Sequence, residues 1–480
     1  MRWMMFAVVF VQLMVANTFA QLADSTKSPL DGTEILTVNR VIIIGNKKTL
    51  DRIISRELTL KSGDTVARQK LEAIFALDKN KIYNLRIFNT VSLRALELPD
   101  KSFDILVDVT ERWFAFPVPI FELSDRNFNE WWENYNHDFS RVYYGVRLYH
   151  YNFRGRNETV RLTAQFGFSP RFDLAYRIPY IDKKQKQGLI FELNYSEPKN
   201  LAYQTNDHIL TFLSSRKTLR KKYGGKITYT YRKSFYETHG VSLEYDNGTI
   251  ADTIRKLNVA YNDPTYYLGG KRNQWYATLS YYFLSDHRDV IAYPLNGYMA
   301  MAGFKQILIG SGNLQQTNFS ASIAYHKDIG RKFYFSNYTA GYFSTKSDPP
   351  YSLYFGQGYE KRFVRGYEVY VIEGPWYFLN KMTLKKRLFQ RKFFLDLLPW
   401  EQFQHFPVAL YLKAYTDFGY TKNYDYYSEH AKNNRLSNKL IAGAGMGLDL
   451  VTSYDVVTRF EYTFNAEGYH GFFFHIKKEF

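Results

Sequence analysis

The chain has 480 residues, a formal net charge of +17 and no cysteine, so neither disulfides nor a thiolate metal site hold it together. Aromatic residues make up 18%, with 42 Tyr and 39 Phe, yet the mean hydropathy is only −0.39. Beyond the first twenty residues no apolar run approaches the roughly 20 residues that a membrane helix needs, which excludes a helical membrane protein.

Tyr and Phe favour pleated surfaces and membrane interfaces. The positive charge points to anionic partners, lipid or sugar phosphates rather than nucleic acid, with basic surface loops as the plain alternative. The chain opens with Arg2, an apolar run Trp3 to Val15, and Thr18-Phe19-Ala20. That pattern predicts a signal peptide over 1–20 and a linker over 21–35.

Residues 36–112 read as a compact α+β unit. The predicted order is a strand Val38 to Ile44, a helix Thr49 to Leu58, a helix Val66 to about Leu77, and strands Leu85 to Leu93 and Phe103 to Val109, with Asp64 or Thr65 capping the second helix. Gly45-Asn46 follows the first strand, Arg56-Glu57-Leu58 ends the first helix, and Gly63-Asp64 precedes the second. This arrangement resembles the polypeptide-transport-associated (POTRA) domain. The resemblance implies a sheet edge offered to extended peptide, here Leu85 to Leu93 with Arg86, Phe88 and Thr90 as contact positions. A spacer role is the alternative.

From residue 113 to 480 the apolar period is two. Val160, Leu162, Ala164, Phe166 and Phe168 alternate with Thr159, Arg161, Thr163, Gln165 and Gly167, and the pattern recurs at 275–283 and 319–325. Segments of about ten residues with one apolar and one polar face predict an all-β transmembrane barrel with a wet interior. Sixteen antiparallel strands are expected, near 115–122, 141–152, 157–168, 171–180, 187–197, 223–233, 237–247, 271–284, 297–308, 317–328, 332–343, 376–387, 407–419, 439–450, 454–464 and 470–480. Two more alternating pieces, 203–214 and 253–262, would make eighteen but read as extensions folded into long loops. The long connections fall on the side away from the POTRA unit. Leu388 to His405 is the exception, rich in Phe and Leu, and reads as an interfacial helix.

The loop Ser344 to Pro375 carries Phe363-Val364-Arg365-Gly366-Tyr367-Glu368. A loop tip in water gains little from Val364 and Tyr367; folded into a cavity, Arg365 needs a buried acid. Val408, Leu410, Leu412 and Ala414 face lipid, which turns Tyr411, Lys413, Tyr415, Asp417 and Gly419 inward. Val-Arg-Gly-Tyr five strands from the end, followed by Thr-Asp-Phe-Gly at 416–419, resembles the BamA superfamily (bacterial surface antigen family) over nearly the whole chain past the first twenty residues. That superfamily includes outer-membrane assembly factors and two-partner-secretion transporters. The resemblance implies that Arg365 pairs with Asp417 and pins the loop inside. Its well-known assembly factors carry several POTRA domains, whereas this chain has room for one.

Phe472, Phe474, Ile476 and Phe480 look like the terminal signal strand of an outer-membrane protein. In Phe116-Pro117-Val118-Pro119-Ile120 the two prolines remove donors from one strand edge. If that edge faces the last strand it forms a lateral gate; if both prolines lie in the linker they break no pairing.

No Gly-x-Ser-x-Gly, His-Glu-x-x-His or Gly-x-x-x-x-Gly-Lys-Ser/Thr pattern occurs, and the ten histidines lack metal-ligand spacing, so no enzyme, metal or cofactor is expected. The expected function is insertion of β-barrel clients or translocation of polypeptide, with a dedicated secretion transporter or a passive porin as alternatives. Expected partners are nascent outer-membrane polypeptides, outer-membrane lipid, lipopolysaccharide at the basic run Arg216 to Lys222, and periplasmic chaperones or lipoproteins. The POTRA unit is placed in the periplasm.

Overall fold

The computed structural model describes residues 34–123, 132, 136–260, 264–360, 362–394 and 404–476. The predicted signal peptide, most of the linker and Phe480 lie outside the described residues.

The N-terminal unit comprises β1 (Ile35–Ile44), α1 (Asp51–Ser55), β2 (Thr65–Ala67), α2 (Arg68–Tyr83), β3 (Phe88–Glu97) and β4 (Ser102–Glu111). Its sheet order is β2-β1-β4-β3, with β1 parallel to β4. The parallel pair requires the helical crossover between them. Leu36 and Val38 of β1, Phe103, Ile105 and Val107 of β4, and Ile53, Ile54 and Ile82 of the helices make its core. Three sequence expectations shift. The first helix is shorter than Thr49 to Leu58. The second runs on to Tyr83, and Ala67 stands at its N-terminus without a side-chain cap, so neither Asp64 nor Thr65 caps it. The third strand starts at Phe88 because Arg86 takes a left-handed turn conformation (φ 64°).

Sixteen antiparallel strands follow in one sheet. They are β5 (Ala115–Leu123), β6 (Val142–Phe153), β7 (Glu158–Gly167), β8 (Arg171–Ile178) and β9 (Gln187–Ser196); after a loop hairpin β10 (Asn200–Asn206) and β11 (Ile209–Ser214), β12 (Arg220–Arg232) and β13 (Glu237–Ile250). After α3 (Asp252–Ala260) come β14 (Asn273–Asp286), β15 (Gly297–Gly310), β16 (Thr317–Gly330) and β17 (Phe333–Ser344). The short pair β18 (Gly356–Gln357) and β19 (Ile372–Glu373) lies in the next loop, before β20 (Trp376–Phe394) and β21 (His405–Lys422). Past α4 (Asp425–Glu429), β22 (Leu440–Val451), β23 (Val457–Asn465) and β24 (His470–Ile476) complete the sheet.

The alternation sorts side chains as a barrel requires: Leu162, Leu243, Ile323 and Leu412 are exposed on the outer face, while Thr228, Thr278, Lys413 and Asp417 are buried on the inner one. Neither extra piece joins the barrel. Residues 203–214 fall in the separate β10–β11 hairpin. Residues 253–262 belong largely to α3, whose buried Ile254 and Asn258 lie one helical turn apart, a spacing of four rather than two. The expected interfacial helix over Leu388 to His405 is also corrected: β20 stays extended through Phe394 and β21 resumes at His405, with 395–403 outside the described residues.

Strand direction assigns the ends. The turns 154–157, 179–186, 233–236, 287–296 and 452–456 share the POTRA side, and β10, β11, α3, α4 and the 345–375 loop share the far side. On the far side the connections pack into one cluster of Leu201, Tyr203, Ile250, Ile254, Tyr266, Tyr267, Tyr351, Tyr354, Tyr424 and Tyr427. Each phenol gives apolar area and a polar tip, and several of the buried hydroxyls find partners, as in Tyr427 donating to Glu373 (2.8 Å) and Tyr351 meeting Thr205 (3.1 Å), whereas the Tyr354 hydroxyl is buried without one among the described residues.

Candidate functional site: the lumenal lock and the first and last strands

The 345–375 loop turns back into the barrel. Val364, Tyr367, Tyr370 and Ile372 pack on Ala340 of β17, Tyr377 and Leu379 of β20 and Ile441 of β22. At its tip, Arg365 donates from Nε to Asp417 Oδ2 (2.8 Å), from Nη2 to Asp417 Oδ1 (2.5 Å) and from its backbone N–H to Oδ2 (3.0 Å). Nη2 also reaches Thr383 Oγ1 at 3.2 Å, and the guanidinium lies 3.7 Å above the Tyr415 ring centroid. A bidentate pair with further donors satisfied is the geometry in which a buried ion pair offsets its desolvation.

Two glycines make this approach possible. Gly366 sits at φ 91°, and a Cβ there would lie 3.0 Å from Asn465 Cβ and 3.1 Å from Thr463 Cγ2. A Cβ on Gly419 would lie 2.6 Å from Val364 Cγ2, so the loop and strand touch backbone to side chain. Asn465 donates to Gly366 O (2.7 Å), and Glu368 accepts from Gly366 N–H (2.7 Å).

The lock extends further than Arg365 and Asp417. Glu461 of β23 stands 3.7 Å from Arg365 Nη1 and 2.9 Å from Lys413 Nζ; Lys413 in turn lies 2.5 Å from Asp449 of β22. Asp449 accepts from Tyr293 Oη (2.9 Å), carried by the POTRA-side turn 287–296. That turn touches the N-terminal unit: Asn84 donates to Asp289 O (3.0 Å) and accepts from Ile291 N–H (3.1 Å). Glu461 and Asp449 were detectable in the sequence as acids at inward positions of amphipathic strands. Tyr293, in a turn without periodicity, was not.

Other contacts fasten the N-terminal unit to the same rim. Arg232 of β12 makes a bidentate pair with Glu57 (2.7 and 2.9 Å), and Arg86 and Arg112 both reach Asp455 at 3.0 Å. Arg86 is therefore held in a turn against the barrel and Phe88 is fully buried, so neither stands on an open edge. Thr90 bonds across to Thr110 (2.8 Å). The edge of β3 itself is unpaired among the described residues. Leu98 donates to Ser102 O and the ladder steps from Glu97↔Phe103, so Val91, Leu93, Ala95 and Glu97 turn their backbone groups away from β4. A groove lined by Glu72, Phe75 and Lys79 of α2 and Ser92 and Leu93 of β3 runs beside it.

β5 pairs with β6 and β24 with β23, and among the described residues no ladder joins β5 to β24. Phe116 to Ile120 lie inside β5, so both prolines belong to the strand and not to the linker. Tyr151 donates to Phe114 O (2.7 Å), and the pairing proceeds from Ala115↔His150 without a shift. Bonded and non-bonded pairs alternate. Phe116, Val118 and Ile120 thus direct their backbone groups to β6, and Pro117 and Pro119 face the opposite edge, the one toward β24. Phe472 and Phe474 of β24 are exposed on the outer face, and Ile476 pairs with Thr458.

The basic run Arg216 to Lys222 is on the far side but largely engaged: Arg220 donates to Tyr266 Oη (3.0 Å), Lys221 pairs with Glu197 (3.0 Å) and Lys222 with Asp246 (2.8 Å). Among the described residues no group of His, Asp and Glu is arranged to hold a metal ion.

The comparisons with known proteins fit this architecture. Residues 36–112 match a POTRA domain, "Surface antigen variable number repeat". No curated protein matches the sequence. Among solved structures, BamA from Haemophilus ducreyi lacking POTRA domains 1–3 aligns at a TM-score of 0.50 and 14% identity, covering 92% of this chain and 83% of that one. CdiB from Escherichia coli aligns at a TM-score of 0.54 and 11% identity, covering 93% and 77%. Residues 152–480 match the Omp85 superfamily domain, and this chain, a sixteen-stranded outer-membrane barrel preceded by a POTRA domain, belongs to the Omp85 superfamily.

Proposed function

We propose that this protein inserts β-barrel clients into the outer membrane by opening the seam between β5 and β24, with the POTRA domain in the periplasm receiving the unfolded chain and an N-terminal signal peptide directing export. The observation that carries the reading is the edge of β5: two donors are missing at Pro117 and Pro119 on the side that faces β24, and no ladder crosses that gap among the described residues. A client strand pairing with the freed edge of β24 never leaves its own backbone groups bare in lipid.

The remaining routes are obstructed. The lumen holds the locked loop, the far side carries the tyrosine dome, and the POTRA domain is bonded to the opposite rim. This favours lateral insertion over outward passage through the lumen and over a passive porin. No bond chemistry is required, and periplasmic chaperones or lipoproteins would act only by delivering clients. Lipopolysaccharide contact would fall to Arg216 and Lys217, since the later cations of that run are engaged.

Depletion of the protein followed by a census of outer-membrane proteins tests the proposal. Loss of many barrel proteins is expected. Loss of one exported protein with the barrel complement intact would mark a dedicated secretion transporter instead.

A further inference from the structure

On the POTRA side β20 and β21 outrun their neighbours. β17 pairs with β20 only as far as Lys386, and β22 pairs with β21 only from Ala409, yet the two strands stay paired from Phe389↔Leu410 to Phe394↔His405. Phe389 to Phe394 give about 20 Å of strand at about 3.3 Å per residue. A bulge between Arg387 and Phe389 marks the point of departure, and bulges bend the strand that carries them.

The register fixes the faces of this hairpin. Phe389 lies opposite Leu410, Arg391 opposite Val408 and Phe393 opposite Phe406, so these residues share one face. On β21 that face continues upward into Leu412 and Ala414, the lipid-facing side of the barrel, because Tyr411 and Lys413 are buried inward. Phe389, Phe393 and Phe406 are 40%, 45% and 37% exposed. Gln390, Lys392 and Pro407 lie on the other face. Lys386, opposite Leu412, faces outward where the lipid band ends, and its Nζ lies 5.0 Å from the Phe333 ring centroid. Residues 384–394 contain no acid.

We infer that this hairpin docks on the membrane leaflet at the POTRA side, its phenylalanine face in the headgroup layer and Lys386 and Arg391, on that same face, against anionic phospholipid headgroups. Continuity with the lipid-facing band selects lipid as the occupant. Aromatic rings with adjacent cations are the composition that settles at a charged membrane interface. The bend at the bulge lets the extension leave the barrel wall, so its apolar face need not remain in water. Anchoring beside the turn 452–456, where Asp455 holds Arg86 and Arg112, would tie leaflet charge to the placement of the POTRA domain.

The test uses the absence of native cysteine. Single cysteines at Phe393, Gln390 and Leu412 carry a nitroxide in the full-length protein, reconstituted in phosphatidylcholine vesicles with and without phosphatidylglycerol. Accessibility to oxygen and to a water-soluble nickel chelate is then compared. With phosphatidylglycerol present, the label at Phe393 should resemble the lipid control at Leu412, while that at Gln390 remains accessible to nickel. The double variant Lys386→Ser, Arg391→Ser should move Phe393 toward water. At about fivefold per cation, from about 1 kcal/mol per charge near an anionic surface, the docking equilibrium falls about twenty-five-fold. An unchanged label at Leu412 verifies that the double variant keeps the barrel. Equal nickel accessibility at Phe393 and Gln390 in both vesicles would overturn the inference and leave the face to a protein partner. Docking that ignores phosphatidylglycerol would overturn the assignment of the cations.

Discussion

Arg365 and Asp417 meet through three hydrogen bonds to a single carboxylate, two from the guanidinium and one from the backbone N–H of the same arginine. The backbone bond places the loop as well as the side chain. Asp417→Asn therefore weakens both, and leaving Arg365 buried beside a neutral group costs about 3–5 kcal/mol. Arg365→Ala strands Asp417 at similar cost. Exchange of the two residues should restore little, since an arginine at 417 cannot accept from the backbone N–H of 365. Protease susceptibility of the 345–375 loop in the folded barrel measures the release, and a fully active, protease-resistant exchange variant would show that the lock does not depend on this geometry.

The far-side dome should loosen in acid. His208, at the tip of the β10–β11 hairpin, accepts from Leu436 N–H through Nε2 (2.9 Å), and Val371 donates to its carbonyl (2.7 Å). Burial lowers its pKa to about 4, opposed by Asp207 and assisted by Arg435 and Lys439. A base whose folded pKa is depressed supports the fold fully above its unfolded value near 6.5 and loses that support as pH falls toward 4. Protection factors in Asn200 to Ser214, taken against the intrinsic exchange rate at each pH, should fall between pH 7 and pH 4.5 and depend less on pH in His208→Gln. Equal pH dependence in both proteins would remove His208 from the account.

Client contact at the POTRA domain should follow the edge of β3 rather than Arg86 or Phe88. Photo-crosslinkers at Ser92 and Arg94, flanking the unpaired backbone of Val91, Leu93 and Ala95, should capture nascent barrel proteins. A crosslinker at Phe88, fully buried, should capture none and destabilise the domain. Proline at Leu93 removes an outward donor without touching the β4 ladder, and should cut capture several-fold below a Leu93→Ala control, which shares the lost core packing but keeps the donor. Capture unaffected by that variant would favour a spacer role.

Much of this was legible in the residues, for identifiable reasons. The strict alternation around Asp417 fixes which way it points, and a cation in an apolar loop demands a buried partner. The same rule applied to β22 and β23 exposes Asp449 and Glu461. Tyr293 is invisible to it, since its position depends on how the turn 287–296 folds against the rim. The helix α3 is hard to tell from an alternating strand because a short amphipathic helix and a strand both show spaced apolar residues, and the burial of Ile254 and Asn258 is what reveals the spacing of four. The β20–β21 extension is not legible as strand because the adjacent pairs Leu388-Phe389 and Phe393-Phe394 break any period of two. What identifies it as strand is pairing with residues 405–410, which are distant in sequence.

The central claim is that β5 and β24 separate for clients, and the most direct measurement is a disulfide series across that seam. Cysteines at Val118 paired with cysteines at Phe472 or Phe474 are the only thiols in the chain. In reconstituted vesicles the account predicts that oxidation locks the seam and abolishes insertion of a barrel client, and that reductant restores it. Full insertion activity with the crosslink demonstrably complete would contradict lateral opening.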